Sequence, residues 1–401
     1  MEKTMCELFA GVGGFRLGFD RLKSGWKTVW FNQWEPKAAI QHAYNCYVYH
    51  FGDSKDITTG KDIATVDKST IPNHNLLVGG FPCQDYSVAH SLSTAKGIQG
   101  KQGVLWWQIY ETLVTKKPAF CLFENVDRLL KSPPKQRGRD FGIMLTCFNG
   151  LGYAVEWRVV NAATYGGAQR RKRIFIFAYK NTTEYAKKQS SLSPKDIIKT
   201  DGFFGKTFPI DSMSEVNSTY TSKDAGEATK TFAFAFCNAG IMVNGKIHTA
   251  AIKEVEEAPI KLGSLLENDV DEKYYIDDEK MKKWKYLKGA KRIPRVAENG
   301  HEYIYSEGAI SFPDDLDKPA RTMLTSESTI NRSSHVIKDP KTLKLRVLTP
   351  VETERIQGFD DNWTDTGMTE RMRYFCMGNA LVVPMITRMG ETIDGIIAKE
   401  K

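Results

Sequence analysis

Over its first half the chain alternates short β-branched and aromatic runs with stretches of helical spacing. Met5–Ala10 predicts a strand, Gly11–Gly14 a turn, and Phe15–Lys23 a helix that packs through Phe15, Leu17, Phe19 and Leu22. Thr28–Phe31 predicts a second strand and Ala38–Tyr47 a helix. Asn75–Val78 predicts a third strand ending at Gly79-Gly80, Trp106–Val114 a helix, and Phe120–Phe123 a strand that stops at Glu124. Val155–Val160 and Arg173–Ala178 add two more strands. Such alternation predicts an α/β fold built on a doubly wound, mostly parallel sheet. Ligands bind beyond the carboxyl ends of strands in such sheets, where Gly11, Cys83 and Glu124 fall.

After about Tyr179 the alternation is lost. Polar stretches (Thr182–Lys188, Asp211–Ala228) separate short apolar runs, and an acidic stretch from Glu254 to Glu279 precedes a basic, aromatic one from Lys280 to Arg295. From Arg346 helical patterns return. The expected organisation is a first domain over residues 1–180, a smaller irregular domain over 181–344, and a segment 345–401 that rejoins the first.

Hydrophobic content of 41% and charged content of 26% suit a soluble globular protein. No signal peptide or membrane-length apolar run is present, so a cytoplasmic protein is expected. The seven cysteines form no CxxC pair, which argues against a disulfide framework and a metal site. A net charge of +8 permits a polyanionic partner without requiring one.

Three segments carry candidate chemistry. Phe9-Ala10-Gly11-Val12-Gly13-Gly14 links a strand to a helix, where glycines allow close approach to a ligand. Arg16 occupies the third glycine position of a dinucleotide fingerprint, which counts against a dehydrogenase. In Phe81-Pro82-Cys83-Gln84, Pro82 fixes the backbone ahead of a cysteine displayed in a glycine-flanked loop, a setting for a nucleophile. Most lone cysteines are inert small hydrophobes, and that reading suits the other six. Glu124-Asn125-Val126 ends a strand facing the same cleft and offers a proton donor. In Gln169-Arg170-Arg171-Lys172-Arg173, alternation along a strand would direct Arg171 and Arg173 to one side.

The order of these segments resembles the DNA cytosine-5 methyltransferase family. The resemblance continues through Arg346-Val347-Leu348-Thr349-Pro350-Val351-Glu352, Arg355-Ile356-Gln357-Gly358-Phe359 and Gly378-Asn379-Ala380-Leu381-Val382-Val383-Pro384. It covers roughly residues 4–178 and 345–390 and implies an S-adenosylmethionine-dependent methyltransferase fold with a target-recognition domain between them. The implied reaction begins with addition of the Cys83 thiolate to C6 of a flipped-out cytosine. Glu124 would then protonate N3 and Arg171 hold O2, with Gln84 and Arg173 beside them.

For the cofactor S-adenosylmethionine, leaving as S-adenosylhomocysteine, the resemblance implies a pocket lined by Phe9, Gly11, Gly13, Gln33, Trp34, Asp62, Ile63, Pro82, Leu105, Asn379 and Ala380. Three positions depart from the family: Gln33 where glutamate is usual, Glu7 for an opening aspartate, and Ala380 for serine. Ser87, in the polar stretch between Asp85 and Val104, together with Lys282, Lys283, Arg321 and Arg332, are expected on double-stranded DNA. No metal is expected. A bacterial or phage-encoded monomer in a restriction–modification system follows, with a cognate restriction endonuclease acting on the same site. The alternatives are a tRNA cytosine-5 methyltransferase, disfavoured by the large intervening region, and a non-catalytic DNA-binding protein, disfavoured by the presence of Cys83, Glu124 and Arg171.

Overall fold

The computed structural model describes residues 1–401 except 37, 53–56, 82–104, 298–299 and 328. The chain forms two compact units: residues Met1–Tyr165, Lys172–Ala258 and Leu381–Lys401 in one, Gly166–Arg171 and Pro259–Ala380 in the other.

The first unit is built on a nine-stranded sheet. Its strands are β1 (Thr4–Leu8), β2 (Lys27–Asn32), β3 (Leu76–Gly80), β4 (Phe120–Val126), β5 (Tyr153–Asn161), β6 (Lys172–Lys180), β8 (Asn217–Tyr220), β9 (Ala239–Val243) and β10 (Lys246–Ala250). The two short strands β7 (Ile210–Met213) and β11 (Ile252–Glu254) pair separately. The order across the sheet is β2-β1-β3-β4-β6-β5-β9-β10-β8. Strands β2, β1, β3 and β4 run parallel, and pairing from β4 onward is antiparallel.

Strand alternation divides the core. Cys6, Leu77, Cys121, Phe123, Ile174 and Ile176 belong to one buried layer. Met5, Leu76, Val78, Phe120, Leu122, Phe175 and Phe177 belong to the other. Both faces of the central strands are therefore apolar, the pattern of a sheet covered on each side. The helices α3 (Leu105–Lys116) and α4 (Arg139–Gly150) contribute Trp106, Ile109, Phe141 and Phe148 to the first layer. Helix α1 (Gly14–Asp20) and the C-terminal helix Val383–Ile397 contribute Phe15, Phe19, Ile386 and Met389 to the second. The doubly wound sheet expected from the sequence is present, and helix α2 (His42–Phe51) starts four residues later than its pattern predicted.

The expected boundary at residue 180 does not coincide with the division of the structure. Residues 181–258 add β8, β9 and β10 to the sheet, and the second unit begins at Pro259. The hairpin that makes this extension turns at Asn244 (φ 47°) and Gly245 (φ 75°). Asn-Gly between alternating apolar residues is the two-residue turn signal that marks it in the sequence.

The second unit contains the helix Asp278–Lys288, capped by Asp277 through Lys280 N–H, and two strand pairs. One pair is β12 (Lys291–Val296) with β13 (Glu302–Glu307), the other β14 (Val336–Lys338) with β15 (Leu345–Val347). The Arg346–Glu352 motif proves architectural. Thr349 and Glu352 form a reciprocal cap on the helix Pro350–Gln357, with Pro350 at its first position. The wholly buried Arg346 guanidinium bridges Glu352 at 2.7 Å and Asp339 at 2.8 Å.

Candidate active site

The ends of β1 and β2 form the glycine-rich corner. Phe9 (φ 55°), Gly11 (φ 56°) and Gly13 (φ 88°) all take left-handed backbone. Gly13 N–H bonds back to Ala10 O at 2.9 Å and releases the chain into α1. A Cβ on Gly13 would strike the ring of Phe51, whereas beside Gly11 there is open space. Gln33 accepts from Gly11 N–H through Oε1 at 2.8 Å, so its amide braces the corner. Trp34 is exposed. Asp62 caps the short turn Ile63–Thr65 through Ala64 N–H at 3.0 Å, and Ile63 is buried beneath it.

Beneath the corner lies a buried carboxyl. Glu7 accepts from the Tyr47 hydroxyl at 3.1 Å. Burial pushes it up to about 8, against the opposing pull of Tyr47 and of Arg16. The Arg16 guanidinium lies over the Phe51 ring, 4.3 Å from its centre.

These residues fit S-adenosylmethionine: an open backbone approach at Gly11, an exposed indole, and a half-buried carboxylate at Asp62 suit the cofactor's amino acid and adenosine parts. Leu105, half-buried at the start of α3, lies in the same unit. Asn379 is exposed and Ala380 half-buried in the second unit.

At the carboxyl ends of β3 and β4 the acid is defined. Glu124 stands opposite Gly80 in register, and a Cβ on Gly80 would lie 3.3 Å from Glu124 Oε2. The glycine thus leaves room for the carboxylate. Asn125 donates to Phe81 O at 3.0 Å, fastening the last described residue before Pro82 to β4. Arg173 Nε reaches Glu124 Oε1 at 2.9 Å. Pro82, Cys83, Gln84 and Ser87 lie outside the described residues.

The sequence expectation grouped Arg171 with Arg173, and the two guanidinium groups have different partners. Strand β6 begins at Lys172, and Arg171 immediately precedes it. The Arg171 guanidinium is buried in the second unit and donates to Met323 O at 3.2 Å and Gly378 O at 3.1 Å. Gln169 is buried with it, bonded to Gln357 and to Met323 N–H.

Of the residues expected on DNA, Lys282 and Lys283 are exposed, and Lys283 pairs with Glu279 along its helix. Arg321 is bidentate on Asp314 at 2.6 and 3.2 Å and also donates to Ser333 O and Ser334 O. Arg332 donates to Leu287, Gly289 and Gly308 carbonyls. Both half-buried arginines tie segments of the unit together. Among the described residues no cluster of metal-ligating side chains occurs, and no helix is long and apolar enough to cross a membrane.

Residues 3–395 match the family described as C-5 cytosine-specific DNA methylase. The Type II methyltransferase M.Sau3AI of Staphylococcus aureus is 50% identical over 97% of this chain and 95% of its own length. The Type II methyltransferase M.SsoII of Shigella sonnei is 26% identical over 97% of this chain and 79% of its own. Among solved structures, the Entamoeba histolytica methyltransferase EhMeth has the same fold, with a TM-score of 0.60 at 17% identity over 98% of each chain. With the corner and the acid at the strand ends, this match over nearly the whole chain decides the family: the chain belongs to the C-5 cytosine-specific DNA methylases and is a DNA (cytosine-5)-methyltransferase.

Proposed function

We propose that the enzyme methylates C5 of a cytosine extruded from double-stranded DNA, in a defined sequence, through a covalent bond from Cys83 to C6. Gly11, Gln33, Trp34 and Asp62 would hold S-adenosylmethionine, which would supply an electrophilic methyl group. C5 of cytosine is a weak nucleophile. Addition of the Cys83 thiolate at C6, with protonation of N3 by Glu124, converts the ring to an enamine whose C5 can accept that methyl. Arg173 steadies O2 as charge develops on the ring. Loss of the C5 proton to a base or water then expels Cys83 as thiolate and restores aromaticity.

The observation that carries this reading is the Glu124–Arg173 pair at the end of β4, with Glu124 beside Gly80, which precedes Cys83 by three residues in the sequence. An acid and a guanidinium at hydrogen-bonding distance match adjacent N3 and O2 of one pyrimidine edge. A restriction endonuclease of the same specificity is the partner this role implies, in a bacterial cytoplasm, with the enzyme acting as a monomer.

Duplex DNA with 5-fluorocytosine at the target position tests the chemistry, because fluorine at C5 blocks the final elimination. Wild type with S-adenosylmethionine should form a denaturation-resistant adduct and Cys83→Ser none. No adduct with wild type on any duplex would overturn the covalent route, and methylation of tRNA alone would overturn the substrate.

A further inference from the structure

We propose that the hairpin β12–β13 is a base-reading ribbon that enters the DNA major groove with Arg292, Val296 and Ile304 against base edges. This rests on the DNA-methylating reading above and adds to it the element that selects the sequence.

The two strands pair only with each other. Their register puts Arg292, Pro294, Val296, Glu302, Ile304 and Ser306 on one face. All six are exposed, Val296 at 66% and Ile304 at 56%. A lone two-stranded ribbon is marginally stable in water, and one that also shows branched apolar side chains to solvent gains from being covered. The major groove of B-DNA, about 12 Å wide, accepts a two-stranded ribbon.

The side chains match the groove chemically. An arginine pairs with guanine O6 and N7, and an aliphatic side chain packs on the thymine methyl. Ser306, opposite Arg292, bonds to either kind of edge. Glu302, the acid on this face, is a residue type that accepts from the cytosine amino group. Arg292 makes no hydrogen bond or ion pair among the described residues. Arg321, Arg332, Arg346, Arg355 and Arg373 of the same unit are all engaged by carboxylates or carbonyls. Arg295 points to the opposite face, with its guanidinium 4.1 Å from the Tyr305 ring centre.

The root of the ribbon is anchored. Lys291 donates to Leu287 O at 2.9 Å and pairs with Glu307 at 3.3 Å. Arg332 donates to Gly308 O and lies 3.6 Å from Glu307. Arg332 therefore acts as a positioning residue for the hairpin. The neighbouring helix exposes Lys282 and Lys285 to phosphates.

The test starts from the site that wild type methylates, found by bisulfite sequencing of plasmid DNA treated with the enzyme. Binding is then measured by fluorescence anisotropy to that duplex and to duplexes with one flanking base pair replaced. Arg292→Ala and Arg292→Lys should each lose tenfold or more discrimination at one G·C pair, because lysine cannot reproduce the bidentate contact. Ile304→Ala should lose discrimination at a T·A pair, while Lys282→Ala should weaken all duplexes alike. Tm and S-adenosylhomocysteine affinity should match wild type in every variant. Uniform weakening by Arg292→Ala, or unchanged affinities throughout, would overturn the proposal. Failure of 5-fluorocytosine trapping by wild type would instead count against the covalent route while leaving the discrimination measurement intact.

Discussion

Glu124 Oε1 and Arg173 Nε lie 2.9 Å apart across two antiparallel strands. In register Glu124 faces Phe175 and Arg173 faces Val126, so the pair is diagonal on one face of the sheet. The rigid strands fix the acid and the guanidinium relative to each other.

The two neighbouring arginines should therefore fail in different ways. Arg173→Ala is expected to lower kcat by about 100-fold or more with little change in Tm. Arg171→Ala would leave the Met323 and Gly378 carbonyls without their donor, and should lower stability by about 2 kcal/mol or more. Methyl-transfer kinetics beside thermal unfolding separate the two; an Arg171→Ala protein of normal Tm and abolished kcat would reverse the assignment.

The glycines of the corner should also differ. Gly13→Ala combines left-handed backbone, about 1–2 kcal/mol for an L-residue, with a collision against Phe51, and should lower Tm clearly. Gly11→Ala has the backbone strain but open space around it. Its larger effect is expected on cofactor affinity, read by calorimetry with S-adenosylhomocysteine.

Glu7 gives a pH signature. Its carboxyl holds a proton in the folded protein up to about 8, above its ordinary 4.5. The contribution to stability is fully present below 4.5 and is lost as pH rises through 8. Wild type should therefore lose more stability between pH 5 and 9 than Glu7→Gln does. Parallel denaturation curves for the two proteins across that range would refute it.

Arg346→Ala would strand Glu352 and Asp339 as buried, unpaired acids. A loss of about 3–5 kcal/mol is expected, visible as early unfolding in a urea titration. A near-wild-type midpoint would show that the ion pair contributes nothing to folding.

The parallel half of the sheet was legible because its strands are continuous apolar runs between glycines, as doubly covered strands must be. Strands β8 to β10 were not, since they are only four or five residues long and share no single pattern, and the Asn244-Gly245 signal between β9 and β10 was passed over. Helix α4 was missed for a related reason: Phe141 to Phe148 are all buried, so no polar face marks its period. At the site, Glu124 was readable as a strand-end acid. Arg171 and Arg173 were grouped by alternation alone, and their different partners, Met323 and Gly378 carbonyls for one and Glu124 for the other, come from long-range packing that alternation does not carry.

The chain passes between its two units four times, at residues 165/166, 171/172, 258/259 and 380/381. Neither unit is a contiguous stretch of gene. A transplant of sequence preference from a relative would have to replace Pro259–Ala380 as an internal cassette and carry the Gly166–Arg171 strand of chain with it, because Gln169 and Arg171 are bonded to residues inside that cassette. A chimera made by a single crossover would mismatch those partners, which predicts that natural recombinants of such enzymes keep both segments from one parent.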